Sequence, residues 1–227
     1  MQRRRKKMAM LEKYVNIIRT MSEKLFPGEE DEIVEKALVQ YEEFWKVTPD
    51  IGGSENRQFK DLDFLIAFFS FYEACGRRIG VPELDDFTYE AMIKDAEAAS
   101  AVMGWDKPMM KPMITKMYTE YIEQINDHVA KGEWGNTWRI EMNPEGHKEG
   151  FAIHTRMCPN VDFCRAHGYE EFLPHVCKQD YRIAEAMNGI LIRNHTIPLG
   201  SDYCDWWYFG NNEELPEEAK ERLARNV

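Results

Sequence analysis

The spacing of apolar residues changes once along this 227-residue chain, near Gly132, and that change sets what the chain can fold into. Before it, apolar residues recur every three or four positions, the period of an amphipathic helix. Met8, Leu11, Val15, Ile18 and Leu25 form one such stripe, and Pro27-Gly28 ends it. A second helix is predicted over about 30–45, with Ile33, Ala37, Tyr41 and Phe44 on one face. The run Thr48-Pro49-Asp50-Ile51-Gly52-Gly53-Ser54 is loop chemistry. A strongly apolar helix follows over 62–78, closed by Gly80 and Pro82, then two more near 85–103 and 112–131. After Gly132 the period falls to two. Residues 137–142 alternate polar and apolar, as a half-buried strand does. Asn143-Pro144-Glu145-Gly146 is a turn, and 150–157 completes a hairpin. Helices are predicted over 161–172 and 175–188, separated by Pro174, then strands over 190–197 and 203–209 around a turn at Gly200.

This order predicts an α+β fold. A helical N-terminal half precedes an antiparallel four-stranded sheet with two helices inserted between its hairpins, and the helices lie on one face. The chain divides by character into an N-terminal helical extension (1–56), a helical part of the main domain (57–131), a cysteine-bearing α+β part (132–210) and an acidic C-terminal tail (211–227) that ends in a short polar helix.

Charge narrows the function. The net charge is −11, and five of the first seven residues are basic, so the rest is more acidic still. An acidic body argues against nucleic acid, which needs clustered Lys and Arg. The basic run 3–7 reads as a solvated start to the first helix. No apolar run approaches the ~20 residues of a membrane helix; the longest spans 64–71. Glu12 and Lys13 interrupt the start before a signal sequence develops, so a cytoplasmic protein with reduced thiols is expected. The Met8–Leu25 stripe is compatible with a homo-oligomer interface, although such stripes are more often core.

Four of the five cysteines, Cys158, Cys164, Cys177 and Cys204, fall in the α+β part. Cys75 lies in the apolar third helix and reads as a small buried hydrophobe. Cys158 ends a strand before Pro159, Cys177 begins a helix, and Cys204 starts the last strand before Asp205. Element ends commonly display functional groups. Cys177 and Asp180 are three apart and share a helix face. A helix start also favours a thiolate, the form that attacks or binds metal. The spacing contains no C-x-x-C, so three readings stay open: metal ligands, catalytic thiols and inert thiols.

Alternation in the second strand puts Phe151, Ile153, Thr155 and Met157 on one face, and His154, Arg156 and Cys158 on the other. His195 is placed with Arg193 in the third strand, so His154 and His195 could line one pocket. Arg156 and Arg193 suit bidentate binding of a carboxylate. His128, His147 and His167 read as surface residues, and Trp206-Trp207-Tyr208 as sheet packing. Asp180 and Asp205, each beside a cysteine, could move protons, orient a histidine or bind metal.

Cys158-Pro159, then Cys177-Lys178-Gln179-Asp180, then Gly200-Ser201-Asp202-Tyr203-Cys204-Asp205 resembles the L-2-amino-thiazoline-4-carboxylic acid hydrolase family. The resemblance is most specific over about 150–210 and reaches back loosely to about residue 57. It implies a hydrolase acting on C–N bonds other than peptide bonds, in cyclic amidines or amides. The reaction implied is opening of the thiazoline ring of 2-amino-thiazoline-4-carboxylate to S-carbamoyl-cysteine. The catalytic set implied is Cys158, Cys177, Asp180, Cys204 and Asp205. Arg156, Arg193, His154 and His195 are then candidates for holding the small, carboxylate-bearing substrate. Two mechanisms fit: Cys158, Cys177 and Cys204 hold a divalent metal such as zinc that activates water, or one cysteine attacks directly. The metal-free version is preferred, because three thiolates without a close pair make an unusual zinc site. The alternative is a small-molecule or metal- and redox-sensing module on the same scaffold, without catalysis.

Overall fold

A computed structural model describes residues 9–227. The basic run 3–7 and Met8 lie outside the described residues. The chain forms two compact units. One comprises residues up to Pro49 together with Ser54–Ala91, and the other comprises Asp50–Gly53 and Met92–Val227.

The first unit is helical: α1 (Glu12–Leu25), α2 (Glu30–Val47), α3 (Phe59–Ala74) and α4 (Val81–Thr88). Helix α3 is buried on every side from Leu62 to Tyr72, as expected of a helix that is apolar all round. Helix α2 buries Ile33, Ala37, Tyr41 and Phe44, as its period predicts. Helix α1 instead buries Tyr14, Ile17, Ile18 and Met21, and leaves Leu11 exposed. The stripe is rotated because Tyr14 and Met21 were not counted as apolar anchors. Tyr14 packs against Phe87 at 6.0 Å between ring centroids. Cys75 caps α3 and is buried, as predicted. The predicted helix over 85–103 is two helices, α4 and α5 (Lys94–Met103), joined by a π-helical turn at Tyr89–Ile93.

The second unit holds α5, α6 (Met110–Ala130), β1 (Arg139–Met142), β2 (Phe151–Met157), α7 (Pro159–His167), α8 (Leu173–Ala186), β3 (Gly189–Ile192), β4 (Cys204–Gly210) and α9 (Glu217–Leu223). The four strands form one antiparallel sheet in the order β1-β2-β4-β3. The predicted α+β class and the helix pair between the hairpins are both present. No helix among the described residues is long and apolar enough to cross a membrane.

Register assigns the two faces of the sheet. Ala152 and Ile192 both oppose Trp207, and His154 opposes Asp205, so these residues share one face with Phe209. Helix α9 covers that face, packing Ala219 and Leu223 on Trp207 and its neighbours together with Leu215 just before it. Phe151, Ile153, Thr155, Leu191, Cys204, Trp206 and Tyr208 occupy the opposite face. There Trp105 stacks flat on Tyr208 at 4.6 Å and Tyr118 of α6 meets Phe151 at 5.4 Å. The sheet is therefore covered on both faces, not on one.

Candidate functional site

Two polar constellations result, one on each side of the sheet. The first collects residues from four elements. Strand β2 ends at Met157, so Cys158 escapes the strand alternation and becomes the residue that caps α7, with Pro159 in the first helical turn. Cys158 therefore does not share the face of His154 and Arg156. It interacts electrostatically with Cys204 and Asp180 on the other side. Helix α8 supplies Cys177 and Asp180, β4 supplies Cys204 and Trp206, and Arg193 follows the last residue of β3.

Arg193 organises this side. Its side chain is only 1% exposed, an extreme for a cation, which demands a partner. One guanidinium nitrogen donates to Asp180 Oδ2 at 2.6 Å and another to the Cys177 carbonyl at 3.1 Å. The guanidinium also faces Trp206 at 5.1 Å and Tyr181 at 5.3 Å from the ring centroids. Burial alone would favour loss of its proton, but Asp180, with smaller contributions from Tyr208 and Cys177, outweighs burial and keeps Arg193 cationic.

The three cysteines here are not resting thiolates. Burial pushes the Cys158 thiol up to about 12, against the pull of the Val161 and Asn160 backbone N–H groups at the start of α7. Burial and then Asp180 raise Cys177 well above the ordinary thiol range, with Arg193 opposing. Burial also raises Cys204, whose sulfur accepts from the Ile197 backbone N–H at 3.3 Å. The expected helix start belongs to Cys158 and not to Cys177. Helix α8 begins at Leu173, with Pro174 inside its first turn, so Cys177 falls in the second turn. Cys164 is fully buried and packs in α7. None of the five cysteines is bridged.

Four buried polar atoms on this side have no hydrogen-bond partner: Arg193 Nε, Trp206 Nε1, Thr155 Oγ1 and Asn160 Oδ1. Buried polar groups are almost always paired. Two free donors and two further polar oxygens in the residues around the thiols are what a polar ligand would meet. The residues do not suit one shared metal ion. Among the described residues the sulfurs of Cys158, Cys177 and Cys204 do not come within the mutual 4.8 Å that a common ion would need.

The second constellation lies beneath α9. Arg222 bridges Asp205 and Glu145, at 2.5 Å from each. Asp205 also accepts the backbone N–H groups of Asn194 and His195 at 3.0 and 2.6 Å, and His195 Nδ1 lies 3.4 Å from it. Glu145 pairs with His154 at 2.9 Å. Burial alone would raise the Glu145 carboxyl, but Arg222 holds it below its ordinary range. Burial lowers His154 despite Glu145, favouring the neutral ring. Tyr203 stacks on His154 at 4.3 Å and meets His195 at 5.0 Å. His154 and His195 thus do converge, although β3 ends at Ile192 and His195 stands in the following turn.

The predicted site residues divide accordingly. Cys158, Cys177, Asp180, Arg193 and Cys204 come together, whereas Asp205, His154, His195 and Arg156 lie across the sheet from them. Arg156 is half exposed, paired with Glu141 at 2.9 Å and set over Tyr203. His147, read as a surface residue, is 7% exposed and stacks on Trp207 at 3.8 Å. Glu145, Thr155, Asn160 and Arg222 are not among the residues predicted for the site, and Trp206 reads from sequence as sheet packing. Only Trp206 has a usable signal, since alternation within its strand puts it on the face of Cys204; Thr155 joins them through the β2–β4 register.

The family model described as L-2-amino-thiazoline-4-carboxylic acid hydrolase matches residues 63–208, a span that holds every residue of the thiol-bearing constellation. No curated protein and no solved structure matches the chain.

Proposed function

We propose, since the chain belongs to the L-2-amino-thiazoline-4-carboxylic acid hydrolase family, that it hydrolyses a small cyclic C–N substrate of the 2-amino-thiazoline-4-carboxylate kind. The observation that carries this reading is the buried Arg193 held by the partly buried Asp180 and the Cys177 carbonyl, with unpaired donors beside it. It offers a cation for a carboxylate, a nucleophile and a proton carrier on neighbouring residues.

In this reading the substrate carboxylate engages Arg193, whose Nε is unpaired, and competes with Asp180 for the cation. Asp180 is thereby released toward Cys177, which shares its helix face. The Cys177 thiol rests protonated, so attack needs that base. Asp180 takes the thiol proton as sulfur bonds to the ring carbon C2. The attack opens the C2=N3 double bond and Asp180 passes the proton to N3; the remaining C2–N3 single bond then breaks as the exocyclic amine forms a double bond to C2 and one of its protons moves to N3, which leaves as the free amine. Water displaces the enzyme sulfur from C2, the thiol regains its proton, and the carbamoyl group remains on the substrate sulfur. One water is consumed and nothing else is released. Asn160 Oδ1 suits as an acceptor for the ring's exocyclic amine, and the Trp206 Nε1–H as a donor to the negative charge that develops on N3.

The test is turnover of L-2-amino-thiazoline-4-carboxylate followed by mass spectrometry. Wild-type protein should form S-carbamoyl-cysteine, and Cys177→Ser should lose at least about a hundredfold in kcat. A folded wild type that forms no product overturns the substrate assignment, and a fully active Cys177→Ser overturns the nucleophile.

A further inference from the structure

Arg193 is gripped from a direction that the proposed chemistry does not use. Residues 222–227 follow the segment matched to the family, yet they make a continuous set of contacts with the chain around Arg193. The Asn226 side chain accepts the Arg193 backbone N–H at 2.8 Å and donates to the Leu191 carbonyl at 3.0 Å. The Val227 backbone N–H donates to the Arg193 carbonyl at 3.1 Å. The Val227 carbonyl accepts the Tyr181 hydroxyl at 2.7 Å, from the same helix that carries Asp180. Both backbone groups of Arg193 are therefore bonded to Asn226 and Val227.

The same segment secures the next residue. Asn194 donates its side-chain amide to the Arg222 carbonyl at 2.9 Å and accepts Arg222 Nε at 3.2 Å. Asp205, itself bound by Arg222, accepts the Asn194 and His195 backbone N–H groups. The turn at 193–195 thus has its backbone fixed by side chains on either side of it. A cation that is 1% exposed in a packed site has little freedom to correct an error in its own backbone.

We propose that Asn226, within the segment Arg222–Val227, is a positioning residue for the reaction: it sets the backbone of Arg193 and so the placement of the cation that takes the substrate carboxylate. This rests on the hydrolase reading above. Positional errors of about 1 Å at such a group cost on the order of a hundredfold in rate or binding.

The test compares Asn226→Ala and Asn226→Asp with Leu223→Ala, which loosens the packing of α9 without touching Arg193. Substrates are L-2-amino-thiazoline-4-carboxylate and its 4-carboxamide, which lacks the anionic group. In Asn226→Ala, KM for the carboxylate should rise about tenfold or more while KM for the carboxamide stays within about threefold. Asn226→Asp keeps an oxygen acceptor for the Arg193 N–H and should retain part of the carboxylate preference, which also serves if the alanine variant does not fold. Leu223→Ala should lower Tm and leave the carboxylate preference unchanged. An active wild type with an unchanged preference in both Asn226 variants overturns the positioning role alone. A preference lost equally in Leu223→Ala overturns it too, because general loosening then accounts for the effect. A folded wild type that acts on neither compound overturns the hydrolase reading and this inference with it.

Discussion

Asp180 carries two demands at once. It neutralises a buried arginine and stands beside a thiol on the same helix face. Its removal should therefore differ from removal of the thiol. Cys177→Ser exchanges one small neutral group for another and should leave Tm within about 2 °C while abolishing turnover. Asp180→Asn strands the Arg193 cation, and loss of one partner of a buried pair costs about 3–5 kcal/mol; partial exposure of Asp180 puts the loss at the lower end. Differential scanning calorimetry beside the turnover assay separates the two, and equal Tm values would mean that the Arg193 charge is compensated elsewhere. At this scale the sequence told which residue types matter and misjudged some of their settings. Cys177 was read as a helix start because Pro174 looked like a break, when proline inside the first turn begins a helix instead. Cys158 was assigned by extending the strand alternation one residue beyond its end. The pairing of Arg193 with Asp180, 13 residues away, depends on how α8 returns to β3, which no local spacing encodes.

Among the elements, α9 departs most from what its sequence suggests. Seven residues with five charges read as a solvated tail. Yet Ala219 is buried against the sheet and Arg222 closes a bridge between two carboxylates. Such a helix is too short to display an apolar period, and the partners of Arg222 lie 17 and 77 residues back, so its role is set by tertiary contact alone. Arg222→Met should cost roughly 3 kcal/mol of stability at neutral pH, measured by urea unfolding. Its pH dependence follows from Glu145, whose carboxyl Arg222 holds low. A depressed carboxyl stabilises the fold above its unfolded value, and that contribution is lost as pH falls through the folded value. The gap between wild type and Arg222→Met should therefore narrow below about pH 4.5, and a constant gap would mean that packing, not charge, is what Arg222 supplies. By contrast α2 and the existence of α3 are legible, since one carries a clean stripe and the other is apolar throughout, although α3 starts at Phe59 and ends at Ala74, ahead of the predicted stop near Arg78.

For the molecule as a whole, the α+β class followed from a single change of period. The division into two units did not, because the boundary near residue 91 falls inside the π-helical turn at Tyr89–Ile93, where no glycine or proline marks it. The helical unit has its own pH signature. Asp63 is 1% exposed in α3, and burial raises its carboxyl from 3.8 to about 6 despite hydrogen bonds from Tyr41 and Trp45. The folded protein keeps this proton where the unfolded chain has lost it, so the contribution is full below about pH 4 and declines as pH rises to about 6. The loss should be roughly 2–3 kcal/mol. Asp63→Asn cannot ionise and should flatten the stability profile between pH 4.5 and 7; a variant that still loses stability over this range would place the titrating group elsewhere. In the other unit, one layer of β-strand separates the thiols from the histidines, and Cys204 and Asp205 are adjacent in sequence yet point to opposite sides. This arrangement governs which length changes a lineage can accept. A residue gained or lost in the turn before Cys204 alters only the loop, but the same event inside β4 would exchange its two sets of side chains between the faces, carrying the aromatic packing of one into the polar surroundings of the other. Drift in length should therefore collect around Gly200 and the stretch after Gly210, leaving the seven residues between as a segment of fixed count.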